Sequence, residues 1–290
     1  MHYGNFTTES GLRIDYFDTQ SGADVLVYHH GTPAAGPIDA DLVEAAKQNE
    51  LRVVELVRPG YGKSARWPDR TVANIAPIAT ELARHLGFEK YVTLGWSGGG
   101  PHALANLALE SDVCVAGLSL ASVAPYNQPD LDFLAGMGQD NIEEFGAALN
   151  GEVALRPMLE ELGIGMRDVS GGEIVEMLAS ILPEVDQSVL TGEFGDEMAQ
   201  IFRWAVSEGI DGWLDDDFAF TKPWGFELSE IANPLAIWQG SEDLMVPYSH
   251  GEWLASKLPD AHVKLLQGEG HLSIGKLAFA EGIPWLKSQI

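Results

Sequence analysis

Val92-Thr93-Leu94-Gly95-Trp96-Ser97-Gly98-Gly99-Gly100-Pro101-His102-Ala103-Leu104 is the stretch whose reading decides the fold. An apolar run ends at Gly95, a serine stands between small residues, and an Ala/Leu-rich helical pattern follows. G-x-S-x-G between a strand and a helix is the layout of a nucleophile elbow. The turn is so tight that the serine adopts a strained backbone and its hydroxyl projects into the open. Gly95 and Gly99 let strand and helix approach closely. The first helical turn beyond the serine offers unpaired N–H groups that favour negative charge. A glycine-rich turn with a capping serine gives the same pattern. With 32 glycines in 290 residues, a chance match arises in roughly one such chain in five, so the context must decide.

Outward from the elbow, short apolar runs alternate with helical patterns. Strands are expected at 3–7, 12–18, 25–30, 52–57, 91–96, 115–121, 235–239 and 263–267, with helices at 39–49, 74–86, 99–109, 249–257 and 275–288. Such alternation predicts an α/β fold, a mostly parallel eight-stranded sheet flanked by helices. The first two strands have no helix between them and are expected to form an antiparallel hairpin at one edge. The alternation stops between about Pro125 and Asn233. There Ile174, Val175, Leu178, Ile181 and Leu182 recur at helical spacing, as do Met198, Ile201, Phe202 and Ala205. A structureless loop of that length does not fit a compact domain. The domain reading is therefore a core of residues 1–124 and 233–290, with a helical lid at 125–232 inserted after the sixth strand.

The net charge of −26 argues against nucleic acid and anionic membranes as partners. It reads as a solvated surface. Attraction of a cationic substrate would need acids inside a pocket, which a sequence does not reveal. No apolar run reaches the ~18 residues of a membrane span. The first residues carry neither a basic segment nor an apolar core, so no secretory signal is expected and a cytoplasmic location is. The single cysteine, Cys114, reads as a buried structural thiol. Asp215-Asp216-Asp217 reads as a solvated helix end rather than a metal site. No metal or cofactor is implied, and a homodimer is left open.

Serine needs a base and an orienting acid to act as a nucleophile. Asp243 follows the strand at 235–239, and His271 follows the strand at 263–267. In a parallel sheet both loops lie at the edge that carries Ser97, where ligands bind. The adjacent Glu242 competes with Asp243 for the acid's role. Among the other histidines, His30 reads as structural, His102 as a packing or pocket residue, and His85, His250 and His262 as surface or helix-end residues. In His29-His30-Gly31-Thr32-Pro33, Thr32 has a backbone N–H to aim at a developing oxyanion and Pro33 has none. The Gly98 N–H is the second such donor. Trp96, His102, Phe133, Phe145, Phe202, Trp204, Trp213, Phe220 and Trp224 are candidates to line a substrate pocket.

HHGTP at 29–33, RPGYGKS at 58–64, GWSGGG at 95–100, GSEDLMVP at 240–247 and GEGHLS at 268–273 together resemble the α/β-hydrolase family. The resemblance implies Ser97 as nucleophile, His271 as general base and acid, Asp243 as orienting acid, and Thr32 and Gly98 as oxyanion donors. It implies an enzyme that cleaves an ester of a small, partly apolar substrate through an acyl-enzyme. Serine at 97 argues against haloalkane dehalogenases and epoxide hydrolases, which use aspartate. HGTPA and GWSGG depart from the HGGPG and GGSWG of proline iminopeptidases. Amide or carbon–carbon bond cleavage, haloperoxidase-like chemistry, and a receptor with little turnover remain as alternatives.

Overall fold

The computed structural model describes residues 1–290. Strands β1 (His2–Thr7), β2 (Arg13–Asp18), β3 (Asp24–His29), β4 (Leu51–Leu56), β5 (Tyr91–Trp96), β6 (Cys114–Leu120), β7 (Leu235–Gly240) and β8 (His262–Leu266) form one sheet. Its order is β1-β2-β4-β3-β5-β6-β7-β8. β1 and β2 make the expected antiparallel edge hairpin, and β2 meets β4 antiparallel. All other pairings are parallel. Alternate side chains enter opposite apolar layers, as a pleated strand requires. Leu26 and Tyr28 of β3 join one layer, and Val25 and Val27 join the other.

The crossovers are helical. In α1 (Ala40–Gln48), Asp39 is the N-cap, its carboxylate accepting the Leu42 N–H at 2.9 Å. Pro77 falls in the first turn of α2 (Ala76–His85), where its missing N–H has no partner to lose. The elbow feeds α3 (Gly100–Leu109). Six helices separate β6 from β7: α4 (Gln139–Leu149), α5 (Glu152–Arg167), α6 (Ile174–Met177), α7 (Glu184–Val189), α8 (Gly192–Ala205) and α9 (Asp211–Thr221). Their apolar stripes, including Leu155, Leu159, Ile174 and Phe202, join the layer that holds Leu26. After β7 come α10 (Tyr248–Lys257), α11 (Ser273–Leu277) and α12 (Ile283–Lys287). The single helix expected at 275–288 is divided by a π-helical turn at Ala278–Gly282. Pro284 lies at the start of α12 and has no N–H to give an i−4 carbonyl, which accounts for the changed register. No helix is long and apolar enough to cross a membrane.

The expectation for Asp215-Asp216-Asp217 is overturned. Their exposures are 3%, 0% and 1%. They lie in the middle of α9, a helix buried on nearly every side. Asp215 takes a bidentate bond from Arg66 at 2.8 and 2.9 Å. Asp216 accepts from Arg58 at 2.6 Å, Thr32 Oγ1 at 2.7 Å and Tyr61 Oη at 2.9 Å, and also from Arg70. Burial alone would raise its pKa, but the charges of Arg58 and Arg70 outweigh that and hold it far below the usual carboxylate range. Arg58 also donates to the carbonyls of His30 and Gly31 and to Thr32 Oγ1. One buried ion pair thus joins the helical segment to the loop after β4, and the hydrogen bonds around it tie in the loop after β3.

Removing one partner from such a pair leaves the other charge buried alone, which costs roughly 3–5 kcal/mol. Asp216→Ala is expected to lower the unfolding free energy by about that amount. A urea titration checks it; an unchanged midpoint would show that the arginines find other partners.

Candidate active site

β3 and β5 are neighbours whose chains leave toward opposite sides of the sheet, since β4 lies beyond β3 and β6 beyond β5. Beyond the carboxyl ends of two such strands a crevice opens. Ser97 stands there, directly after β5, with φ +56°. That left-handed backbone is a genuine strain for a residue with a Cβ. The flanking glycines explain how the turn fits. A Cβ on Gly95 would lie 2.1 Å from the Gly99 carbonyl oxygen, and one on Gly99 would lie 1.9 Å from that of His29.

Two loops of the C-terminal part converge on the same crevice. The Asp243 carboxylate accepts from His271 Nδ1 at 2.8 Å. Gln239 donates to the same oxygen at 2.9 Å, and the other oxygen accepts the backbone N–H groups of Met245 and Val246 at 2.9 and 2.8 Å. Those bonds fix the acid in place and assign the His271 proton to Nδ1, leaving Nε2 as the free base. Burial pulls the His271 pKa down, yet the Asp243 charge and hydrogen bond, with the charge of Asp186, bring it above the ordinary value. Glu242, the rival acid, is exposed and bonds only Ser241 among side chains.

Ser97 opens into two lobes. One, of about 90 Å³, is lined by Trp96 and His271; the other, of about 260 Å³, is lined by Gly98, Phe145, Trp213 and Phe220. Thr32, Ser97 and Phe202 line both.

Residues 24–141 match the alpha/beta hydrolase fold family. The chain is 24% identical over 254 residues to a pimeloyl-(acyl-carrier protein) methyl ester esterase of Nitrosomonas europaea, covering 87% of this chain and 90% of that protein. A bromoperoxidase from Bacillus anthracis superposes with a TM-score of 0.72 at 20% identity, covering 99% of this chain and all of that one. A thermophilic esterase from Thermogutta terrifontis superposes at 0.68 and 19%, covering 100% and 99%. This is the α/β-hydrolase fold.

Within that fold several candidate lining residues do other work. His102 is fully buried, its Nδ1 3.4 Å from the Val72 carbonyl, and it does not reach either lobe. Burial and the Arg58 charge keep its pKa low, so it is a neutral core residue. Phe133 packs edge-on against Phe145 and His250. Trp204 packs on Tyr3 and Phe17 of the edge hairpin, and Trp224 stacks on Phe226. None of the three lines either lobe; their large aromatic surfaces are spent on packing elsewhere. His250 is not at the surface either: it is buried and joins the Ala124 N–H to the Phe133 carbonyl. His30 is structural, taking the Arg58 N–H at 3.2 Å and stacking edge-on against Tyr61.

Asp186 escaped the sequence reading. It belongs to α7, is fully buried, and accepts three consecutive backbone N–H groups, from His271, Leu272 and Ser273, at 2.8, 3.0 and 2.9 Å. The α-helical segment between β6 and β7 therefore grips the histidine loop itself. Nothing in Glu184-Val185-Asp186-Gln187 separates this acid from its neighbours in sequence.

Because the Asp186 charge helps to raise the His271 pKa, Asp186→Asn should lower it, and by less than Asp243→Asn does. Imidazole titration by NMR on histidine-labelled protein measures this. No movement in Asp186→Asn would make Asp186 a purely structural cap.

Proposed function

We propose that this chain is a serine hydrolase that cleaves a carboxylic ester through an acyl-enzyme. The observation that carries the reading is the His271–Asp243 pair at 2.8 Å, with its imidazole lining the same lobe as the strained Ser97. In this reading His271 Nε2 takes the Ser97 proton as the hydroxyl attacks the ester carbonyl. The N–H groups of Thr32 and Gly98 hold the tetrahedral oxyanion, each donor being worth about 3 kcal/mol in the transition state. His271 then protonates the departing alkoxide, and the alcohol leaves. Water, deprotonated by the same imidazole, attacks the acyl-enzyme and releases the acid.

In this reading the two lobes take the two halves of the ester. The leaving alcohol takes its proton from His271, so it belongs in the smaller lobe that His271 lines. The acyl part then occupies the larger lobe beside Gly98. A small alcohol on a larger acyl group agrees with the methyl ester esterase to which the chain is similar. In this reading the helical segment between β6 and β7 is the lid, since it contributes Phe145, Phe202 and Trp213 to the lining of the acyl lobe.

A fluorophosphonate probe should label the protein and fail to label Ser97→Ala; labelling that survives would falsify the nucleophile. Asp243→Asn should lose about 10⁴-fold in kcat, whereas Glu242→Gln should stay near the parent. On the acid side kcat/KM falls as pH drops through the raised His271 pKa, since only neutral imidazole is a base. A profile flat from about pH 8 to pH 5, well below the ordinary histidine value, would remove His271 from that role.

A further inference from the structure

A net charge of −26 draws cations toward the whole surface but selects none; selection needs carboxylates within the site. The larger lobe has them. Asp140, Glu144, Glu161 and Asp217 are among its 22 lining residues, which include no lysine, arginine or histidine. Asp140 and Glu161 are exposed, and Glu144 is half-buried. Asp217 is 1% exposed.

The buried acids near Ser97 differ in what they hold. Asp243 holds His271 and two amides, Asp186 holds three amides, and Asp216 holds two arginines. Glu55 accepts the Gly36 N–H and Asp39 caps α1. Asp217 is different: its Oδ2 is buried, no N–H or hydroxyl donor of the protein reaches it, and its neighbour is another carboxyl, that of Glu144. Beside it, Glu144 Oε1 accepts the Trp213 indole N–H at 2.6 Å. A buried polar atom left unpaired is costly unless something comes to pair it.

We propose that the larger lobe is a subsite for an organic ammonium group on the acyl part of the substrate, held between Asp217 and Glu144 with the Trp213 ring alongside. The inference rests on the esterase reading and names its substrate class. Two adjacent carboxyls disfavour each other's ionisation, the more so when one of them, Asp217, is buried. Burial, the Glu144 carboxyl and the Asp216 charge push Asp217 well up, offset only in part by Arg70; burial also pushes Glu144 up. An ammonium group supplies both the opposite charge and the N–H donors that let the pair ionise. A methyl group of the same size supplies neither and leaves Asp217 Oδ2 unpaired. The aromatic wall of Trp213, Phe145 and Phe220 suits the methylenes between the ammonium and the carbonyl.

The test compares methyl 6-aminohexanoate with methyl heptanoate, and shorter pairs of the same kind, each differing only by ammonium for methyl. Methanol release gives kcat/KM for both. The expected result is a preference of about tenfold or more for the ammonium member at one or more chain lengths. It should lie in KM more than in kcat, because the contact is made before the chemistry. Asp217→Asn and Glu144→Gln should each pull the ratio toward one, and either variant alone suffices if the other fails to fold. A ratio of one or below at every length overturns the ammonium subsite while esterase activity stands. A ratio that survives in both variants overturns its assignment to this acid pair. Hydrolysis of neither ester, with no fluorophosphonate labelling of Ser97, sinks the esterase reading and this inference with it.

Discussion

Arg58 and Asp216 meet where water reaches neither, with both side chains at 0% exposure. Burying two charges is expensive, and only near-complete hydrogen bonding makes it tolerable. Here the guanidinium donates to two carbonyls, a hydroxyl and the carboxylate, while the carboxylate also receives Arg70, Tyr61 and Thr32. These groups come from the loop after β3, the loop after β4 and helix α9. Thr32 has no freedom to move independently of α9, and α9 carries Trp213 and Asp217. The position of the Thr32 loop and the shape of the larger lobe are therefore set by one buried charge pair.

Most of the fold could be read in the sequence because its signals are local. Each strand is an apolar run closed by turn residues, and all eight lie within one residue of their expected spans. The elbow was legible for a similar reason. Ser97, Gly95 and Gly99 stand within five positions of one another, and their roles follow from a single tight turn. Asp243 and His271 were legible through topology, since loops that follow parallel strands must emerge at one edge.

The helical segment was less legible, because what its polar residues do depends on partners distant in sequence. Asp215, Asp216 and Asp217 look alike as a run, yet one holds Arg66, one anchors Arg58 and Arg70, and one is left unpaired at the cavity. Helical periodicity would place them in order around a cylinder, but α9 is buried nearly all round and gives no polar face to find. The aromatic residues misled in the same way. Phe145 and Trp213 reach the lobe, while Trp204 and Trp224 fill joints elsewhere, and composition alone does not distinguish the two uses.

The crowding around Ser97 separates two kinds of change that point mutation can make. Gly95 and Gly99 are hemmed in by backbone, which has nowhere to move, so neither accepts a side chain. At position 97 the side chain opens into both lobes, and the constraint is on φ rather than on volume. Aspartate tolerates left-handed backbone better than most residues do. The turn is thus rigid in shape but permissive in which reactive group it presents. In evolutionary terms, a chain of this kind can change the side chain it presents at this sheet edge at one codon while Gly95 and Gly99 around that codon stay fixed.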